Sequence, residues 1–127
     1  MTWRWVSPHL AVSWHARLIG LYGGAPGIRD LGLVEGALAR PRNLVAYEGP
    51  DVTTERLAVL YGIGLAKAHG FVDGNKRIGF AAMVAFLKAH GRILDVTEAE
   101  ATRVMQEVAA GTMGEAELER WLLAHCR

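Results

Sequence analysis

The run from Ile78 to Leu87, IGFAAMVAFL, carries no charged side chain, and the run from Leu57 to Ala66, LAVLYGIGLA, carries none either. A helix that is apolar on every face belongs in an interior. Two such helices, close together in sequence, predict a fold built around them. Neither can cross a bilayer, because Ile78–Leu87 is roughly half of the ~20 residues a span needs. Burial must therefore be in protein.

The helical period continues on both sides of this pair. Ser7-Pro8 provides an N-cap followed by proline at the first helical position, and Gly23-Gly24 a stop, so a first helix covers about 8 to 22. Asp30 caps a short second helix expected to end before Pro41, and Arg42 to Pro50 reads as a loop. A third helix opens at Thr53 or Thr54 and reaches about His69. A fourth begins near Asn75, placed as its N-cap, and runs to about Ala89. Thr97 to Glu100 reads as a capping box for a fifth helix closed by Gly111. Glu115 to His125 makes a sixth, with Leu118, Leu122 and Leu123 as its apolar stripe. Trp3, Trp5 and Arg92 to Val96 could be extended, without making a sheet. The expectation is an all-α bundle of six helices, one domain over residues 1–127.

Gly62 and Gly64 lie inside the third helix and each costs about 1 kcal/mol relative to alanine, so they predict close approach of neighbouring backbone. They are no dinucleotide fingerprint, since Lys67 stands where a third glycine would be. With 14 Lys plus Arg against 13 Asp plus Glu, the net charge is +1. That balance, without a spare basic recognition helix, argues against a DNA-binding module. The single cysteine, Cys126, excludes an internal disulfide and a cysteine zinc site. The N-terminus has no signal-peptide core, so a reducing, cytoplasmic setting is expected.

The informative segment joins the two apolar helices: His69, Phe71, Asp73, Gly74, Asn75, Lys76 and Arg77 fall within nine positions. Charged groups placed between the two innermost helices are costly unless used. A helix N-terminus attracts anions through its free N–H groups and its dipole. Lys76 and Arg77 disfavour that end of a helix unless an anion binds there, and phosphate is the natural candidate. Asp73 is a hard oxygen ligand suited to Mg²⁺ on phosphate oxygens. His69, on the other lip, can take a proton from a hydroxyl. Phe71 reads as the loop's apolar anchor. Isolated histidines such as His9, His15, His90 and His125 read as structural, and Trp121, Leu122 and Leu123 as core.

The segment His69-Gly-Phe71-Val-Asp73-Gly74-Asn75-Lys76-Arg77 resembles the signature loop of the Fic/Doc superfamily, His-x-Phe-x-Asp/Glu-Gly/Ala-Asn-x-Arg. AMP-transferring members usually have glycine where this chain has Lys76, and a second arginine where it has Phe80. Asn-Lys-Arg without that arginine is similar to the Doc, or death-on-curing, branch. Tyr22-Gly-Gly-Ala-Pro-Gly27 and Val45-Ala-Tyr47-Glu48 are Doc-like too, and the resemblance runs from about Ser7 onward. It implies an all-α toxin paired with a Phd-like antitoxin, transferring phosphate from ATP to a threonine or serine of elongation factor Tu and so stopping translation. Carried over, His69 is the base, Asp73 the Mg²⁺ ligand, and Gly74, Asn75, Lys76 and Arg77 hold the phosphates. Gly74, where Doc often has alanine, keeps Fic-type AMP transfer as the alternative.

Overall fold

The computed structural model describes residues 2–127 and contains six helices: α1 (Pro8–Tyr22), α2 (Leu31–Glu48), α3 (Thr54–Ala68), α4 (Asn75–Ala89), α5 (Glu98–Ala110) and α6 (Glu115–His125). The all-α expectation holds, and among the described residues extended pairing is confined to two isolated bridges, Ile28 with Phe71 and Leu94 with Cys126. Among the described residues no helix is long and apolar enough to cross a membrane.

Side-chain caps open the early helices as the sequence predicts. Ser7 accepts from the Leu10 N–H, Asp30 from Leu33 and Thr53 from Arg56. Thr97 caps α5 by accepting from the Glu100 N–H, but the Glu100 carboxylate does not close the box. It accepts instead from Trp121 Nε1 at 3.2 Å, tying α5 to α6. Trp121 and Leu122 are core, as expected, whereas Leu123 is 51% exposed and lies off the buried face of α6.

The second helix overturns its predicted boundary. α2 does not stop before Pro41: it contains Pro41 and continues to Glu48, so residues 42–48 are helix rather than loop. A proline inside a helix costs about 3 kcal/mol through a lost N–H bond and a clash with the carbonyl one turn back. Burial offsets that cost here, because Val34, Ala37, Leu38 and Pro41 itself are all buried. Tertiary contact outweighs local propensity.

α3 is the central helix. Every residue from Leu57 to Ala66 is buried, and α3 touches α2, α4, α5 and α6. α4 is less enclosed than its apolar sequence predicts, with Phe80, Ala81, Val84 and Ala85 only partly covered. The glycines explain how α3 comes so near its neighbours. A Cβ on Gly79 would sit 2.7 Å from the Gly62 carbonyl oxygen, and one on Gly62 would sit 2.9 Å from Met83 Sδ. On the opposite side, a Cβ on Gly64 would meet Ala37 of α2 at 3.4 Å. The N-terminal segment closes the open flank, with Trp3 and Trp5 stacked on Phe86. The loop of interest leaves the C-terminus of α3 and enters α4, so its two ends are fixed by this tight helix pair.

Candidate active site

His69 ends α3 in a left-handed conformation, φ 53° and ψ 40°, which turns the chain sharply out of the helix. Its side chain is exposed, and neither ring nitrogen has a hydrogen-bond partner among the described residues. Its carbonyl is held by Arg29, whose Nε donates at 2.7 Å. The next residues run antiparallel to the segment before α2. Arg29 and Asp30 N–H both donate to the Gly70 carbonyl, and Val72 N–H donates to Gly27. Gly70 itself cannot be larger, since a Cβ there would lie 2.5 Å from Val34 Cγ2.

Phe71 turns inward and is 1% exposed. Asn75 grips its backbone twice: Asn75 Oδ1 accepts from the Phe71 N–H at 3.1 Å, and Asn75 Nδ2 donates to the Phe71 carbonyl at 3.0 Å. Asn75 is thus the first residue of α4 rather than its cap. The N-cap is Gly74, at φ 74° and ψ 20°, a left-handed position that glycine occupies without strain. No side chain caps α4, and among the described residues the N–H groups of Asn75, Lys76 and Arg77 have no protein acceptor.

Lys76 and Arg77 are exposed at that end. Arg77 lies 5.0 Å over the Tyr22 ring and donates to the Gly23 carbonyl at 3.3 Å, so the end of α1 steers it. Lys76 has no ion-pair or hydrogen-bond partner among the described residues. Phe80, one turn further on, packs against the core.

Asp73 is exposed and clasped by backbone: Oδ2 accepts from the Ala25 N–H at 3.1 Å and Oδ1 from Gly74 at 2.8 Å. These bonds, Ala25 first and then Gly74, hold its carboxyl below the ordinary aspartate range, with Arg77 and His15 adding to the effect. No three potential metal ligands cluster anywhere among the described residues. Asp73 is thus a single carboxylate beside an anion-attracting helix end, a donor set that suits Mg²⁺ sharing its shell with substrate phosphates and water.

Sequence reasoning named the loop residues but missed what holds them. His15, read as structural, is buried under the loop against Phe71. Tyr22, Gly23, Ala25 and Arg29 contact the loop from the far side of the α1–α2 connection. The sequence marked that connection by its Gly-Gly-x-Pro-Gly break and by the Doc-like resemblance of Tyr22 to Gly27, and neither says which residues it touches.

Comparison with known proteins bears directly on this arrangement. The sequence model of the Fic/DOC family matches residues 5–87, which end two residues before the end of α4. The chain is similar to the protein kinase doc of Escherichia phage P1, 34% identical over 88 residues that cover 69% of each chain. It is also similar to the toxin Doc of Mycolicibacterium smegmatis, 41% identical over 96 residues and again 69% of each. A family match over well more than half of the 127 residues, with the polar loop inside it, settles the relationship: the chain belongs to the Fic/DOC family.

Proposed function

We propose that this protein is a Doc-like toxin that transfers the γ-phosphate of ATP to a threonine or serine hydroxyl of a translation factor, elongation factor Tu being the target the Doc resemblance implies. A Phd-like antitoxin would restrain it. The observation that carries this reading is the uncapped start of α4, where free N–H groups, Lys76 and Arg77 converge beside Asp73. A di- or triphosphate satisfies all of them at once.

In this reading the side chains divide the work. Lys76 and Arg77 hold phosphate oxygens, and Arg77 is kept in place by Tyr22 and Gly23. Gly74 gives the backbone its turn, and Asn75 keeps the loop closed on Phe71. Asp73 would hold Mg²⁺, which when bound offsets the negative charge on the phosphates. His69 takes the proton from the acceptor hydroxyl at a ring nitrogen as the oxygen bonds to the γ-phosphorus; the β,γ-bridging bond breaks and ADP leaves with its electrons. The exposed setting of His69 suits an acceptor presented by another protein.

AMP transfer is the second reading, and Gly74 is the residue that favours it. The left-handed φ at Gly74 is a sufficient backbone reason for glycine, so that support is weak. Phe80 weighs the other way, being core-packed where an arginine would reach the outer phosphates.

The biological test is expression in a bacterial host. Wild-type protein should halt translation and growth, co-expression of its antitoxin should restore both, and folded His69→Ala should be harmless after a rate loss of about 10²–10⁴-fold. Full toxicity from folded His69→Ala would overturn the reading.

A further inference from the structure

One face of α1 lies beneath the loop. Ala11 and His15 are buried on it, Ile19 Cδ1 lies 3.2 Å from where a Cβ on Gly74 would stand, and Tyr22 sits under Arg77. His15 is the polar member of this stripe and is 3% exposed. Its ring stacks on Phe71, with centroids 3.8 Å apart and planes inclined by 14°. Stacking needs only a flat ring, and a phenyl group would serve it without the cost of burying polar nitrogens. The imidazole must have another use.

That use is visible at Nε2, which lies 2.7 Å from the Asp73 carbonyl oxygen. A carbonyl can only accept, so Nε2 carries hydrogen and donates. Among the described residues no other donor reaches this carbonyl. The other end of the same peptide unit is also held, because the Gly74 N–H donates to Asp73 Oδ1. The Asp73–Gly74 peptide is therefore fixed on both sides. Its orientation sets the left-handed turn at Gly74, and with it the direction of the Asp73 carboxylate and of the first N–H groups of α4.

We propose that His15 is a positioning residue for the phosphate-binding loop: its Nε2–H, rather than its ring, orients the Asp73–Gly74 peptide and so aims Asp73 and the start of α4 at a bound nucleotide. Its effect on turnover rests on the kinase reading, whereas the location of its proton and the restraint on Gly74 do not.

Two variants separate donor from ring. His15→Phe keeps the stack and removes the donor. His15→Gln loses the ring and keeps an N–H donor at the end of a side chain of similar reach. Nitrogen NMR on the wild-type protein should show His15 with a protonated Nε2. In His15→Phe the Gly74 amide resonance should move and exchange faster with solvent. Phosphate transfer should fall about 10–100-fold, as when a supporting shell is removed, with a lower kcat and a raised KM for ATP. His15→Gln should recover most of both losses. A bare Nε2 in the wild type would overturn the proposal. So would folded His15→Phe with unchanged Gly74 and turnover, or His15→Gln no better than His15→Phe. If His15→Phe does not fold, the wild-type Nε2 and the His15→Gln measurements decide. If the wild type transfers no phosphate, the kinase reading fails, and the Nε2 and Gly74 measurements still decide the role of His15.

Discussion

His69 is the only non-glycine residue with positive φ among the described residues. An L-residue held there costs roughly 1–2 kcal/mol, and the C-terminal end of a helix is where glycine usually takes this conformation. The chain keeps an exposed imidazole at a position where glycine would be easier. His69→Gly should therefore leave stability unchanged or raise it by up to about 1 kcal/mol while abolishing activity. Chemical denaturation checks this, and a clear loss of stability would mean that the ring supports the fold. Asp73 gives a second prediction. Its folded carboxyl is held below the ordinary value, chiefly by Ala25 and then Gly74. Such a group contributes stability that is present above the unfolded pKa and is lost as pH falls through the folded pKa. Asp73 should thus remain an anion at neutral and mildly acid pH, releasing Ala25 only in strong acid. Carboxyl NMR should place its midpoint below that of ordinary aspartates, and a midpoint at or above the ordinary value would contradict the clasp. His69, Asp73, Lys76 and Arg77 were legible because they are neighbours in sequence. Arg29, Ala25 and His15 were not, because they reach the loop from 40, 48 and 58 positions away.

At the scale of elements, the sequence was informative wherever a cap and a period agreed. α1, α3 and α6 lie where the sequence places them, and α4 does so except for its cap, which is Gly74 rather than Asn75. α2 was misread because the penalty of Pro41 is local and visible, while the burial that outweighs it depends on partners distant in sequence. The capping box at Thr97 was half right for a similar reason: Glu100 has a better use on Trp121. Glycine shows the same dependence on context. Gly79 faces the Gly62 carbonyl, so Gly79→Ala should force α3 and α4 apart and destabilise by about 1–3 kcal/mol. Gly36, within α2, has nothing within 4 Å of where its Cβ would be. Gly36→Ala should instead stabilise by about 0.5–1 kcal/mol through lower backbone entropy in the unfolded chain. Urea unfolding of the two variants reads the difference directly, and equal effects would show that the close approach of α3 and α4 does not govern this crossing.

The whole molecule carries almost no net charge, so any preference for phosphate comes from one helix end rather than from a general field. The site is an open surface, distinct from the groove of about 490 Å³ between α2 and α3, whose lining includes none of the loop residues. An open site with an exposed imidazole, two cations and one carboxylate fits a reaction on a macromolecular acceptor. The central claim is which phosphate reaches that acceptor. Lys76 adds a cation at the start of α4, and Phe80 leaves no arginine to hold the outer phosphates in the orientation used for AMP transfer. ATP should therefore bind with its γ-phosphate toward His69. The decisive measurement incubates the protein and Mg²⁺ with elongation factor Tu, or with a cell extract, and ATP labelled at either the α- or the γ-phosphate. Label should pass to protein from the γ position only. Transfer of the α label would contradict the kinase account and establish AMP transfer in its place.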